Sequence, residues 1–336
     1  MVWGHNDGKG YGKYRIPCIA ATARGTLLAC CEARRAGSDW DGIDLVLKRS
    51  TDGGATWSEN RVLAAGASQG VTLNNPVLIA DGDTVHLLFC REYGVTQRGG
   101  GVFHMRSGDG GLSWSDPRDI TGCTHPENYT RNVLACGPGH GIAHSNGTLL
   151  CPVWMTTDAP GSQSHRPSDI STLYSSDQGE TWQIGEVVYS SRDIPNMSEC
   201  SAAELSDGRV MLNIRNESPK NRRAVAVSPN GYTNWTEPAL NDALIDPICY
   251  GSLLRYDDST LLFCNAASER GRENLTLRLS FDDGRTWPQA LVIDPGAAQY
   301  ADIAVLDGSV YVLYEKDSDI LLAKIEKEAI ALCKST

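Results

Sequence analysis

Short apolar runs separated by turn residues recur along the whole chain. Runs of this kind, bounded by Gly, Asp or Asn, are typical of buried β-strands. Patterns that would give helices of about 10–15 residues between strands, as a doubly wound α/β fold requires, are absent from the sequence. The strongest six runs are RGTLLACCEAR (24–34), GDTVHLLFCRE (82–92), NGTLLCPVW (146–154), DGRVMLNIR (207–215), DSTLLFCNAAS (258–268) and DGSVYVLYE (307–315).

A second repeat, S-x-D-x-G-x-[ST]-W, lies between these strands. Each copy follows an apolar or alternating run and precedes another extended segment, which predicts a hairpin connection. Its Asp and Ser side chains can bond to the turn backbone, its Gly allows a positive φ, and its Trp covers the hairpin. We therefore interpret the repeats as structural. The copies are STDGGATW (50–57), SGDGGLSW (107–114), SSDQGETW (175–182), SFDDGRTW (280–287) and a degenerate SPNGYTNW (228–235).

Six units in 336 residues average 56 residues each, which is the size of a four-stranded blade. The repeats therefore predict an all-β fold, a six-bladed β-propeller, with residues 1–336 forming a single domain.

Composition narrows the classes of partner. The 30 Lys and Arg against 41 Asp and Glu give a net charge of −11, which argues against nucleic acid and anionic lipid as partners. No apolar run is long enough to span a bilayer. The first residues lack the features of a signal peptide, so we expect a cytoplasmic location, or secretion if a leader precedes them.

The cysteines and histidines do not suggest a cofactor. Eleven Cys form no C-x-x-C pair, and we expect buried thiols in a reducing compartment rather than disulfides. The seven His show no spacing of metal ligands beyond His140 and His144, so neither a metal nor another cofactor is predicted.

Several of the six apolar strands end in a polar residue. Equivalent strands of a propeller converge on one end of its channel, so these side chains are expected to meet there. Gathering them costs desolvation and repulsion unless a ligand or opposite charges compensate. The residues concerned are Glu32, Arg34, Arg91, Trp154, Arg215, Asn265 and Glu315.

The chain resembles the exo-α-sialidase (neuraminidase) family in YRIP (14–17), the Asp-box repeats, NLTLRLS (274–280) and QYADIAVL (299–306). This resemblance implies a retaining enzyme that hydrolyses terminal α-linked sialic acid from glycans, glycoproteins or glycolipids through a covalent tyrosyl intermediate. An intramolecular trans-sialidase shares the same motifs. A non-catalytic glycan-binding propeller is the alternative from another class.

The family holds the substrate carboxylate with three arginines, and the matching positions are Arg15, Arg215 and Arg272. A guanidinium binds a carboxylate through two parallel hydrogen bonds, which suits this task. Arg270 and Arg278 are rival choices for the third position. With Arg34, these arginines are expected to make the site locally positive despite the net charge of the chain.

The resemblance assigns the nucleophile to Tyr300 and its base to Glu199, with Glu204 as a competing base. A free phenol has a pKa near 10 and needs such a base. A neutral phenol also meets less repulsion than a carboxylate at an anomeric carbon that bears a carboxylate.

The acid/base residue of the family corresponds to Asp39 in this sequence. Asp41 remains an alternative, and Asp44 lies inside a predicted strand, where it is poorly placed for this role. Glu315 is expected to hold Arg15, and Glu32 to support the site.

The resemblance also points to contacts with the sugar. Arg34 and Asn75 match positions that contact it, and Tyr250 stands at another such position, where many relatives carry Gln. The polar stretch 156–170 is expected to border the site.

Overall fold

The computed structural model describes residues 1–5, 7–92, 100–157 and 165–335, and its regular structure is almost entirely β-strand. The first fourteen strands are β1 (Lys13–Ala21), β2 (Leu27–Arg34), β3 (Ile43–Ser50), β4 (Arg61–Ala64), β5 (Thr72–Asp81), β6 (Thr84–Glu92), β7 (Gly101–Ser107), β8 (Arg118–Asp119), β9 (Arg131–Cys136), β10 (Gly139–His140), β11 (Ile142–Ala143), β12 (Leu149–Thr157), β13 (Ser168–Ser175) and β14 (Gln183–Ile184).

The later strands are β15 (Cys200–Glu204), β16 (Val210–Ile214), β17 (Arg222–Ser228), β18 (Ala239–Ile245), β19 (Ser252–Asp257), β20 (Thr260–Ala266), β21 (Glu273–Ser280), β22 (Gln289–Ala297), β23 (Ala301–Leu306), β24 (Ser309–Lys316) and β25 (Asp319–Ile325). One α-helix, α1 (Lys327–Ser335), follows them, and two short 3-10 helices span Ala67–Gln69 and Thr121–Cys123. Within the described ranges, the structure has no helix with the length and apolar content that a bilayer span requires.

The strands form six sheets that follow one another along the chain, which confirms the predicted six-bladed β-propeller. Blade 1 contains β1 to β4, and blade 2 contains β5 to β8 with β10 added parallel to β5. Blade 3 contains β11 to β14, and β9 also pairs with β12. Blades 4 and 5 contain β15 to β18 and β19 to β22, and blade 6 contains β23 to β25.

The N-terminal segment completes blade 6. Val2 N donates to Ile320 O at 2.8 Å, and Ile320 N donates to Trp3 O at 2.9 Å, so the segment pairs antiparallel with β25. The Trp3 side chain is only 1% exposed. It packs in one apolar cluster with residues of blades 1 and 6, and the start of the chain therefore joins the first blade to the last.

Each Asp box connects two strands of one blade in a hairpin, as predicted, and the structure shows that these are the third and fourth strands. In the first box, Ser50 Oγ accepts a hydrogen bond from Gly54 N at 2.9 Å, and Asp52 accepts one from Thr56 N. Three other boxes repeat these bonds, and the degenerate copy uses Asn230 in place of Asp. The box tryptophans lie in or against the apolar clusters.

The six predicted apolar strands are the second strands of the six blades: β2, β6, β12, β16, β20 and β24. All eleven cysteines are free thiols, and nine of them are buried, which agrees with their interpretation as small apolar residues. In five blades the first strand begins at the mouth of the channel where the antiparallel second strand ends, and in blade 3 β9 has this place beside the end of β12. Residues at both positions therefore meet at that mouth.

Candidate active site

A cavity of about 310 Å³ opens at this mouth and contains most of the predicted site residues. The resemblance assigned eleven residues to catalysis, sugar binding or support of the site, and all of them except Tyr250 and Glu315 line this cavity. These nine are Arg15, Glu32, Arg34, Asp39, Asn75, Glu199, Arg215, Arg272 and Tyr300. A larger cavity of about 560 Å³ at the opposite mouth has mainly Ala and aliphatic walls and contains none of the eleven. We therefore take the first cavity as the candidate active site.

The Tyr300 hydroxyl and the Glu199 carboxylate form the centre of the cavity. Each residue directly precedes the innermost strand of its blade, and both are less than a tenth exposed. The hydroxyl donates to Glu199, with oxygen–oxygen distances of 2.7 and 2.9 Å. Burial, followed by the charge of Glu199, raises the pKa of Tyr300. The phenol therefore keeps its proton, and Glu199 is the group placed to remove it.

Three arginines surround the Tyr300 ring. The guanidinium carbons of Arg15 and Arg272 lie 5.3 and 5.5 Å from the ring centre. Arg215 Nη1 donates to the Tyr300 oxygen at 3.1 Å and also to Glu199. All three guanidinium groups therefore face the same small volume beside the hydroxyl, where they can bind one carboxylate together.

Two further side chains fix these arginines. Glu315 is buried, and its carboxylate accepts hydrogen bonds from Arg15 at 3.1–3.3 Å and from Ile16 N at 2.6 Å. The predicted ion pair of Glu315 with Arg15 is thus present, behind the cavity wall. Gln299 Oε1 accepts hydrogen bonds from both Arg15 and Arg272 at 3.3 Å, and the sequence reasoning did not single it out.

Asp39 lies in the loop between β2 and β3 and lines the cavity, with 60% of its side chain exposed. It bonds to Arg34 and lies 3.6 Å from Arg15 Nη1. Partial burial alone would raise the pKa of Asp39, but the Arg34 and Arg15 charges lower it below its ordinary value. Asp39 is therefore ionised in the free protein.

The neighbouring aspartates have other positions. Asp41 does not line the cavity and accepts a hydrogen bond from Ser38 N. Asp44 accepts hydrogen bonds from Tyr11 and from the backbone of Gly66.

Glu32 holds Arg34 and Asn75 in place through hydrogen bonds. Its fully buried carboxylate accepts hydrogen bonds from Arg34 Nε at 2.8 Å and from Asn75 N at 2.9 Å. Asn75 has a positive φ of 52°, and its Nδ2 donates to Cys136 O. Burial raises the pKa of Glu32, although Arg34 opposes the shift.

Comparison with known proteins identifies the family. A family model described as a BNR repeat-like domain matches residues 25–312. A sialidase from Micromonospora viridifaciens is 34% identical over 348 aligned residues, which cover 95% of this chain and 52% of that protein. The chain belongs to the BNR-repeat sialidase family. It spans about half the length of the Micromonospora relative.

Solved sialidase structures share the fold. The Hadza microbial sialidase Hz136 superposes with a TM-score of 0.84 at 26% identity, covering 95% of this chain and 67% of that chain. A leech intramolecular trans-sialidase complexed with 2,7-anhydro-Neu5Ac superposes with a TM-score of 0.81, covering 100% of this chain and 71% of that chain. Its identity is 17%, so this similarity concerns the fold alone.

The structure does not bring every expected residue of this sialidase-family chain to the cavity. Tyr250 is fully buried behind Tyr300, and their rings stack with centroids 5.9 Å apart. The prediction that Tyr250 contacts the sugar is therefore wrong for this conformation, because Tyr300 stands between it and the cavity. Arg91 packs over the Phe103 ring instead of lining the cavity, and its neighbour Glu92 lines it.

The residues considered as alternatives to Arg272 and Glu199 also lie outside the cavity. Arg278 donates to Asn265 Oδ1 at 3.4 Å, within blade 5. Arg270 lies at a separate shallow cavity. Glu204 lines the cavity at the opposite mouth, where it accepts hydrogen bonds from Ser145. None of the three can therefore replace Arg272 or Glu199 in this conformation.

The cavity of this sialidase-family chain has an aromatic and polar side, of which the sequence predicted Trp154 and the stretch 156–170 but not Trp40 or Glu217. The His165 ring lies 5.8 Å from Trp40 and 5.7 Å from Trp154, and Arg166 pairs with Glu217 at its rim. His165 and Arg166 belong to the stretch 156–170 that was expected to border the site, of which residues 158–164 lie outside the described part. Burial raises the pKa of Glu92, another lining residue, to about 7.

Proposed function

We propose that this chain is the catalytic propeller of a retaining exo-α-sialidase that acts on sialylated glycans, glycoproteins or glycolipids. The observation that carries the proposal is the hydrogen bond from the buried Tyr300 hydroxyl to Glu199, surrounded by three arginines. A phenol paired with a carboxylate is an activated nucleophile. Arginines beside it suit a substrate whose reacting carbon carries a carboxylate.

Arg15, Arg215 and Arg272 would bind the carboxylate of the sugar. Glu315 and Gln299 keep Arg15 in its orientation before the substrate arrives, so little side-chain entropy is lost on binding. The anomeric carbon, which carries that carboxylate, would then lie beside the Tyr300 oxygen.

In the first step, the Tyr300 oxygen attacks the anomeric carbon while Glu199 accepts the phenolic proton. The glycosidic bond breaks, and its oxygen takes a proton from Asp39. In the second step, Asp39 removes a proton from water, the water oxygen attacks the anomeric carbon, and the bond to Tyr300 breaks. Glu199 returns its proton to the phenolate, which restores the starting state with retained configuration.

Asp39 must gain a proton before it can act as the acid. In the free protein, Arg34 and Arg15 hold it as a carboxylate. A substrate carboxylate bound to Arg15 would compete for that arginine and would repel the Asp39 charge. Both effects raise the pKa of Asp39, so substrate binding itself would favour the protonated acid.

The test is turnover of a fluorogenic α-sialoside by the purified protein between about pH 4 and 8. We expect turnover by the wild type and a loss of at least about a thousandfold in Tyr300→Phe. The control is Tyr256→Phe, which removes a hydroxyl that bonds to Gly308 O outside the cavity and should leave turnover unchanged. Absence of turnover by the wild type, with sialosides still bound, would instead support a non-catalytic glycan-binding propeller.

The released sugar distinguishes hydrolysis from intramolecular transfer. Attack by water gives free sialic acid, first as the α-anomer for a retaining enzyme. Attack by a hydroxyl of the sugar itself gives an anhydro sugar. Proton NMR of the early product therefore separates the two, and an anhydro product would replace the hydrolase proposal with an intramolecular trans-sialidase.

A further inference from the structure

Buried polar side chains join neighbouring blades just below the candidate active site. Ser201 Oγ donates to Gly251 O at 2.9 Å and accepts a hydrogen bond from Leu253 N at 3.1 Å. Ser252 Oγ donates to Asp302 Oδ1 at 2.7 Å and accepts a hydrogen bond from Ile303 N at 3.2 Å. The first set of bonds ties blade 4 to blade 5, and the second ties blade 5 to blade 6.

Asp302 is the centre of this arrangement. Besides Ser252, it accepts hydrogen bonds from His140 Nδ1 at 2.7 Å and from Ile19 N at 2.9 Å. His140 Nε2 lies 3.2 Å from Leu253 O, so both ring nitrogens face acceptors and the imidazolium form is favoured. We call Ser201, Ser252, Asp302 and His140 the channel ring, and its contacts connect five of the six blades.

The channel ring lies one layer below the reacting groups. Ser201 and Asp302 follow Glu199 and Tyr300 by two residues. The backbone pairing with the second strand continues to both reacting residues, because Arg215 N donates to Glu199 O at 3.2 Å and Glu315 N donates to Tyr300 O at 2.9 Å. In a strand, residues two apart face the same side and are separated by about 6.6 Å along the strand. Each reacting residue therefore stands above a member of the ring.

On the basis of the proposed function, we infer that Asp302 and its partners in the channel ring are positioning residues for the nucleophile and its base. The ring fixes how far blades 4 and 6 slide relative to each other, and so keeps the Tyr300 hydroxyl 2.7 Å from Glu199. Apolar residues would fill the channel without the desolvation cost of a buried carboxylate. Apolar contacts would tolerate a small shift of one blade against another, whereas the hydrogen bonds of the ring would break.

The experiment compares Ser252→Ala and Asp302→Asn with Ser171→Ala as a matched control. Ser171 is also fully buried, and its hydroxyl donates to two carbonyls of blade 3 at 3.0 Å, away from the ring. For each variant we would measure Tm, kcat, KM and the rate of covalent trapping by 2,3-difluorosialic acid, whose fluorine at C3 slows breakdown of the intermediate.

We expect kcat and the trapping rate to fall about tenfold in Ser252→Ala and about a hundredfold in Asp302→Asn, because small displacements of reacting groups cost factors of this size. KM should change less than about threefold, because Arg215 and Arg272 are not bonded to the ring. Ser171→Ala should lower Tm and leave kcat unchanged.

Unchanged kcat in folded Ser252→Ala and Asp302→Asn, or an equal loss in Ser171→Ala, would overturn the inference. If Asp302→Asn does not fold, Ser252→Ala decides alone. A crystal structure of Ser252→Ala gives a readout that does not depend on turnover. We expect its Tyr300 hydroxyl to be displaced from Glu199, and an unchanged contact would refute the ring's role even if the wild type lacked sialidase activity.

Discussion

Acidification should destabilise blade 2, because two neutral histidines are buried against each other there. The rings of His86 on β6 and His104 on β7 stack with centroids 5.2 Å apart, and His86 Nδ1 lies 3.0 Å from His104 Nε2. Arg118 donates to His104 Nδ1 at 3.2 Å, which assigns the hydrogen of neutral His104 to Nε2. A further proton on either ring would therefore face another N–H group.

The size of the effect follows from the pKa values. Burial, followed by the charge of Arg106, lowers the pKa of His86 to about 4. Burial, followed by His86 and Arg118, lowers the pKa of His104 to about 3. Both histidines take up protons near pH 6.5 in the unfolded chain but not in the folded one, so stability falls as the pH drops below 6.5. Because each histidine is half protonated at pH 6.5 in the unfolded chain and almost fully protonated at pH 5, the two together correspond to about 3 kcal/mol between pH 6.5 and 5.

Urea denaturation at pH 7 and pH 5 measures this loss in the wild type and in the double variant His86→Phe/His104→Gln. Other groups titrate as well, and Glu92, with its raised pKa, opposes the effect. Taking the difference between the two proteins cancels these groups. We expect the wild type to lose about 3–4 kcal/mol more than the variant. Equal losses in both proteins would refute the assignment of a buried neutral pair.

Three further predictions concern binding and stability. Arg272→Ala should lower kcat/KM about a hundredfold in steady-state kinetics, because a charged contact to the substrate carboxylate is lost. Trp3→Ala should lower the free energy of unfolding by about 3–5 kcal/mol in urea denaturation, because this buried ring packs where the N-terminal segment joins blade 6. Ser50→Ala should lower the free energy of unfolding by about 1–2 kcal/mol, measured by thermal unfolding, because Gly54 N loses its hydrogen-bond acceptor. Near-normal values in any of the three would contradict the corresponding contact.

The fold was predictable because its determinants are local and repeated. Each Asp box encodes one hairpin within eight residues, and each apolar run encodes one buried strand, so counting the six runs gives the number of blades. The closure of blade 6 by Val2 and Trp3 was not predictable, because this pairing joins opposite ends of the chain. Neither segment carries a local signal for its partner.

The site was predictable where a motif places a residue at the end of a strand, as for Arg15, Arg215 and Tyr300. The site was not predictable where it depends on which of two neighbouring strand residues faces the cavity, because such neighbours point in opposite directions. Arg91 was singled out, but Glu92 lines the cavity. Gln299 escaped notice because it precedes β23, where alternation no longer applies, and still turns towards Arg15 and Arg272.

The charge of the site differs from what the sequence suggested. Counting arginines predicts a local positive surplus, but carboxylates pair with three of the four: Glu315 with Arg15, Glu32 and Asp39 with Arg34, and Glu199 with Arg215. Among the described residues, Arg272 forms an ion pair with none and bonds to Gln299. The free cavity is therefore close to neutral, and an anion gains most from Arg272. Selection of a small carboxylate over a polyanion then rests on the enclosed geometry of the cavity rather than on a field extending into solvent, in keeping with the net charge of −11.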